Sequence, residues 1–197
     1  MLRIGVTGPM ASGKSAVARR FQAKGAVLVD GDALGWGVLR RPEVREALVR
    51  AFGAEVSGPG GGIDRAVLGR VVFRDPGAMA RLNAIVQPPL LYAVRAELNR
   101  ARNGIVVLDA AMLTTWALEP ELDGVVLTTA PAAERVRRLM AARGMDEEEA
   151  RARIEGQSLP PVRGARRLWE IENIGDEAAL ERKADAVWSE IETLARA

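Results

Sequence analysis

"RIGVTGPMASGKS", Arg3–Ser15, sets the fold. The apolar run Ile4-Gly5-Val6 is too short for a helix and suits a buried strand. The residues after it fit G-x-x-x-x-G-K-[ST], with Gly8, Gly13, Lys14 and Ser15 at the required places. Glycines let successive N–H groups converge on phosphate oxygens, and the helix opening at Gly13 adds its positive end. Lys14 supplies a mobile positive charge, and the Ser15 hydroxyl is a natural Mg²⁺ ligand. A strand–loop–helix context is the one in which this pattern binds nucleotide. The segment Gly8, Pro9, Met10, Ala11, Ser12, Gly13, Lys14, Ser15 and Ala16 is therefore the expected seat of the ATP phosphates.

The rest of the chain supplies an α/β frame for that loop. Ala26–Val29, Ile105–Leu108 and Gly124–Leu127 read as further short buried strands, separated by amphipathic segments such as Ser15–Lys24 and Ala132–Ala142. Alternation of this kind predicts a parallel sheet with helices on both faces. "SGPGGG", Ser57–Gly62, reads as a surface loop. Residues 63–73 and 76–86 read as helices broken at "RDPG", Arg74–Gly77, and Pro88-Pro89 is expected to stop or kink a run that resumes over 90–102. Asp146 and Glu149 predict a capping box, and Ser158–Arg167 is irregular and basic. A final helix is expected over Glu177–Ala195. The 197 residues suit a single domain spanning 1–197.

Composition narrows the chemistry. The chain has no cysteine and no histidine, which removes disulfides, thiolate metal sites and imidazole bases. Any general base is a carboxylate, a lysine or a water, and any metal sits on oxygen. The net charge is only +2, from 28 Lys plus Arg against 26 Asp plus Glu, so a nucleic-acid partner is not expected. No apolar stretch approaches membrane-spanning length and the start lacks signal-peptide organisation, so a cytoplasmic protein with no membrane partner is expected.

Carboxylates at strand ends are the further candidates, because parallel-sheet sites collect there. Asp30 and Asp32 follow the second strand. One of them could take a proton from an acceptor hydroxyl or hold a metal-bound water; either could instead cap the next helix. Asp109 ends "GIVVLD" and resembles an acid that orients a metal through water, with a turn residue as the alternative. Arginines gather at 135, 137, 138 and 143, then at 151, 153, 163, 166 and 167. Most are expected to be solvated, with two or three placed over a transferring phosphoryl group.

In order and spacing these pieces resemble the dephospho-CoA kinase family of small P-loop kinases. The resemblance runs through "MLRIGVTGPMASGKSAVA", "VLVDGDAL", "GGIDRAVLGRVVFRDPGAMARLNAIVQPPL", "VRRLMAARGMDEEEARARIEGQ" and "IENIG", nearly the whole chain. It implies a five-stranded sheet in the order 2-3-1-4-5, an acceptor-side helical region over about 33–100 and a lid over about 144–167. It also implies roles. Asp32 would be the base facing the ribose 3′-hydroxyl of dephospho-CoA, Arg138 and Arg143 would stabilise transferred charge, and Asn173 would lie near the adenine of ATP. Ser15, Asp32 and Asp109 would serve Mg²⁺. A monomer or weak homo-oligomer is expected.

Departures from the family pattern fall mainly on the expected acceptor side. Trp36 stands where arginine is frequent, Gln87 where histidine is usual, and Ala111–Thr115 where P-L-L-F-E is usual. Trp36 and Trp116 could stack on a ring or simply fill volume. The acceptor is thus either dephospho-CoA or another nucleotide, nucleoside or small hydroxylated metabolite. Pro9 also replaces a loop glycine and removes at most one donor. A nucleotide-hydrolysing switch is disfavoured by the lack of N-K-x-D, and an inactive paralogue by the retention of Lys14, Ser15 and Asp32.

Overall fold

Strand β1 (Leu2–Thr7) lies at the centre of the sheet, and its inward residues Ile4 and Val6 are fully buried. In the computed structural model, which describes residues 1–72 and 75–196, four strands join it: β2 (Val27–Asp30), β3 (Ile105–Asp109), β4 (Gly124–Thr129) and β5 (Leu168–Glu172). All pair in parallel, in the order β2-β3-β1-β4-β5. Strands covered on both faces read as unbroken apolar runs, and all five β3 residues are buried. The order agrees with the one that the family resemblance implies.

The described residues form two compact units, one made of Met1–Asp30 with the chain from Leu98 onward, the other of Gly31–Glu97. In the first, α1 (Lys14–Ala23) starts where the loop after β1 ends. Its face Val17, Ala18 and Phe21 is fully buried, with Phe21 against Trp188 of α8 (Glu177–Arg196) at 5.3 Å between ring centres. Burying a valine or phenylalanine side chain stabilises the fold by about 1.5–3 kcal/mol relative to exposure. α6 (Ala132–Arg143) and α7 (Glu147–Glu155) pack on each other through Val136, Leu139, Ala150 and Ile154.

The second unit contains α2 (Gly31–Leu39), α3 (Pro42–Phe52), α4 (Arg65–Val72) and α5 (Pro76–Leu98). Ser57–Gly62 is the expected loop, with one 3₁₀ turn at Pro59–Gly61 and a bridge from Ser57 to Ile63. The helix expected over 63–73 starts at Arg65, and Phe73 and Arg74 lie outside the described residues.

Two local readings are corrected. Of the stop or kink expected at Pro88-Pro89, the stop is not made: α5 runs through to Leu98, four residues short of the expected end. Two prolines remove two N–H donors, at about 3 kcal/mol each. Burial beyond them offsets this, since Leu90, Ala93 and Val94 are 5%, 9% and 0% exposed. The capping box at α7 is half made. Asp146 Oδ1 accepts from the Glu149 N–H at 2.8 Å, but the Glu149 carboxylate bonds Arg153 at 2.9 Å, one turn on.

α1, which carries Lys14 and Ser15, is pinned to α8 by charge. The Arg20 guanidinium holds Asp185 through two bonds of 2.8 and 2.7 Å, and Lys24 adds a contact at 3.3 Å. The Arg20 hydrogen bonds depress the Asp185 carboxyl to about 2. An unfolded aspartate titrates near ~3.9. A depressed folded value means the contribution is present above that unfolded value and is lost as pH falls through about 2. Asp185→Asn is therefore expected to lower Tm at neutral pH, with the gap to the parent protein constant above about pH 5 and closed near pH 2 in thermal melts across that range.

Candidate functional site

The loop between β1 and α1 has the conformation that phosphate binding requires. Gly8 and Gly13 have φ of +153° and +100°, where a side chain is disfavoured. A Cβ on Gly8 would stand 2.3 Å from the Thr128 carbonyl oxygen, so neighbouring backbone fills the space. Ala11 also takes a left-handed conformation, at φ +61°, an arrangement that surrounding contacts must hold.

Those contacts come from behind the loop. Thr128 Oγ1 donates to the Thr7 carbonyl at 3.2 Å, so in the 2.6 Å bond with Ser12 Oγ it is the acceptor. Both side chains are buried. Asn173, just past β5, is 5% exposed and donates from Nδ2 to the Ser12 carbonyl at 2.8 Å. Its backbone N–H donates to the Thr129 carbonyl at 2.7 Å. Arg138 donates to the Asn173 carbonyl and to its Oδ1, both at 3.1 Å, and to the Ala11 carbonyl at 3.4 Å. The carbonyls of Ala11 and Ser12 are thereby tied to the rear.

At the start of α1 the Lys14 ammonium donates to Asp109 Oδ1 at 2.9 Å and to Ser15 Oγ at 3.1 Å. The Lys14 and Asp109 side chains are 15% and 12% exposed, so the pair is screened less than a surface salt bridge. The β2–β3 register sets Asp30 opposite Asp109 at the carboxyl ends of adjacent strands. Asp32 lies in the first turn of α2, two residues on, and is exposed. Among the described residues no three Asp, Glu, His or Cys side chains are grouped to hold a metal by themselves. Ser15 and Asp109 make an oxygen-only set with few ligands, which fits a hard cation carrying phosphate and water as its remaining partners.

The remaining arginines separate cleanly. Arg137, Arg151 and Arg153 pair with Glu134, Glu147 and Glu149 on their own helices, and Arg166 faces Asp123 at 3.7 Å. Arg143 is exposed in the last turn of α6, and its side chain forms no hydrogen bond or ion pair among the described residues. Of the set, Arg138 is the one whose guanidinium bonds the loop.

A strand-to-helix loop of this form, with lysine and serine opening the helix, marks a phosphate-binding protein. Comparison with known proteins specifies which. Residues 2–178 match the family model for dephospho-CoA kinase. The chain belongs to the dephospho-CoA kinase family. It is similar to the dephospho-CoA kinase of Thermobifida fusca, 40% identical over 195 residues covering 98% of this chain and 97% of that one. A Thermus thermophilus dephospho-CoA kinase is 38% identical over 188 residues, 95% and 91% of the two chains. Among solved structures, TT1252 from Thermus thermophilus superposes with a TM-score of 0.78 at 36% identity, covering 96% and 97%. A shikimate kinase from Bacteroides thetaiotaomicron shares the fold at a TM-score of 0.54 and 14% identity, over 97% and 98% of the chains. The chain is thus a P-loop kinase.

The positions where this chain departs from the family pattern have definite surroundings. Trp36 is 38% exposed, and the Arg65 guanidinium stacks 3.0 Å above its ring. Gln87 and Trp116 are half-buried. Ala111–Trp116 forms successive turns after β3, with Leu113 fully buried and its Cδ1 filling the space beside Gly5.

Sequence reasoning missed Thr128, Thr7 and Gln157, whose Oε1 accepts the Met10 N–H at 2.6 Å. "TT" closing an otherwise apolar buried strand was the available signal for Thr128. Nothing local distinguished Gln157, because its partner lies 147 residues away.

Gly13 gives a sharp check on the rear bracing. A Cβ there would sit 2.3 Å from Asn173 Nδ2. Gly13→Ala adds this clash to about 1–2 kcal/mol of left-handed backbone strain. It is expected to weaken ATP binding at least about tenfold in calorimetry while far-UV circular dichroism stays unchanged.

Proposed function

We propose that this chain transfers the γ-phosphoryl group of ATP to the ribose 3′-hydroxyl of dephospho-CoA, giving CoA and ADP. The observation that carries the reading is the braced loop with Lys14 and Ser15 at the N-terminus of α1, in a chain of this family.

Each step has its residues. The free N–H groups of the loop and the positive end of α1 hold the β- and γ-phosphates. Lys14 exchanges its Asp109 partner for phosphate oxygen, so that its charge offsets what accumulates on the transferring group. Asp32 takes the proton as the acceptor oxygen bonds to phosphorus, while the bond from the γ-phosphorus to the β–γ bridging oxygen breaks and ADP leaves. A chain without histidine leaves a carboxylate as the natural base. Arg138 and Arg143 supply further positive charge, and Asn173, which holds the loop at Ser12, lies near the adenine of ATP.

Mg²⁺, carried on the phosphates, would neutralise charge on the β- and γ-oxygens, with Ser15 as a ligand and Asp109 and Asp32 orienting its waters. Residues of about 33–100 supply the acceptor side, and the stretch of about 144–167, which contains α7 and the basic segment after it, closes as a lid that excludes water.

Incubation with Mg²⁺-ATP and dephospho-CoA is expected to yield CoA by mass spectrometry. Failure to form CoA, with phosphate appearing on another nucleoside or nucleotide, would replace the acceptor. Lys14→Ala is expected to lower kcat at least about a hundredfold. Asp32→Asn is expected to abolish most turnover while ATP affinity stays near normal, since the amide keeps the size but cannot take the proton. Collapse of ATP binding in that variant with surviving chemistry would make Asp32 a metal or structural residue.

A further inference from the structure

Met10 stands at the turn of the phosphate loop and is held twice by elements distant in sequence. Its side chain packs on the apolar cluster of Val136, Leu139, Ala150 and Ile154 that joins α6 to α7. Its backbone N–H donates to Gln157 Oε1 at 2.6 Å. Gln157 lies two residues past the end of α7, and its own N–H bonds back to the Ile154 carbonyl of that helix at 3.3 Å. Ile154 belongs to the same cluster that receives the Met10 side chain. A closed circuit therefore runs from the loop through Met10 into α6 and α7 and back through Gln157.

Pro9 sharpens the consequence. It has no N–H, so Met10 contributes the first backbone donor after Gly8 in this loop. That donor is engaged by an uncharged side-chain acceptor supplied from the residue immediately before the basic stretch Ser158–Arg167. Further on the same stretch makes two long polar contacts, where the Arg163 N–H donates to buried Glu119 at 3.4 Å and Arg166 faces Asp123 at 3.7 Å.

Resting on the kinase reading above, we infer that Gln157 is a positioning residue for phosphoryl transfer. Its amide oxygen sets the Met10 turn of the loop and couples phosphate held there to the placement of α7 and the basic stretch behind it. Gln157 acts through Met10 rather than on the reacting atoms. A carboxylate in its place would still accept the Met10 hydrogen bond but would set a negative charge one hydrogen bond from the phosphate loop.

The test compares Gln157→Ala and Gln157→Glu in the full chain, using Mg²⁺-ATP binding by calorimetry, steady-state kinetics, thermal melts and amide exchange at Met10–Ser12. Loss of one backbone hydrogen bond predicts an ATP Kd raised about fivefold or more in Gln157→Ala, with faster exchange at Met10, a Tm lowered by no more than about 4 °C and an unchanged KM for dephospho-CoA. Gln157→Glu retains an acceptor, so exchange at Met10 is expected to stay slow while the ATP Kd rises further than in Gln157→Ala. A parental Kd and exchange rate in Gln157→Ala would overturn the inference. So would equal weakening in both variants tracking an equal loss of Tm. The binding arm needs no acceptor: a parent protein that binds ATP but makes no CoA overturns the acceptor reading and leaves this one to its own Kd values.

Discussion

A phosphate loop must point unpaired N–H groups outward and still be rigid, so its carbonyls and side chains have to be satisfied from the other side. Here the bond from Asn173 Nδ2 to the Ser12 carbonyl, at 2.8 Å, is the centre of that constraint. A buried donor or acceptor left unmatched costs about 1–3 kcal/mol. Asn173 is buried and every polar atom of its side chain is matched, by Ser12 on one side and Arg138 on the other. Gly13 lies so close to this amide that glycine is demanded there by packing as well as by its φ of +100°. The loop glycine thus answers to phosphate in front and to Asn173 behind.

The sheet brings these groups together. Parallel strands place their carboxyl ends on one edge, so Thr7, Asp30, Asp109, Thr128 and Asn173 come from five separate strand ends or the residues just after them. Thr7 and Thr128 fix the Ser12 hydroxyl, Asn173 fixes the backbone, and Asp109 holds the Lys14 ammonium. Electrostatic groups positioned beforehand cost no reorganisation when charge moves, which is the chief means by which phosphoryl transfer is accelerated.

Much of this was legible in the sequence because the signals are local. The glycine–lysine–serine spacing, the apolar strands and the acid at the end of β3 each lie within a window of a few residues. The strand order came from resemblance, since β2 pairs with β3 across a long intervening helical segment that no periodicity reports. Pro88-Pro89 allowed a stop or a kink, and the stop is not taken because tertiary burial of Leu90 and Val94 outweighs the lost donors. Arg138 and Asn173 were singled out through resemblance, but their mutual bonds were not legible, because a side chain's partner 35 residues away is a property of the fold.

On the proposed reading the loop is braced from behind by Asn173 and Thr128, and Lys14 is the group that exchanges Asp109 for phosphate. The most direct measurement is a crystal structure with Mg²⁺ and a non-hydrolysable ATP analogue. A preformed loop predicts that the Asn173–Ser12 bond and the Ser12–Thr128 hydroxyl contact persist while Lys14 Nζ leaves Asp109 for phosphate oxygen. A loop that rebuilds around the phosphates with the Asn173–Ser12 bond broken, or nucleotide bound away from Gly8–Ala16, would contradict it.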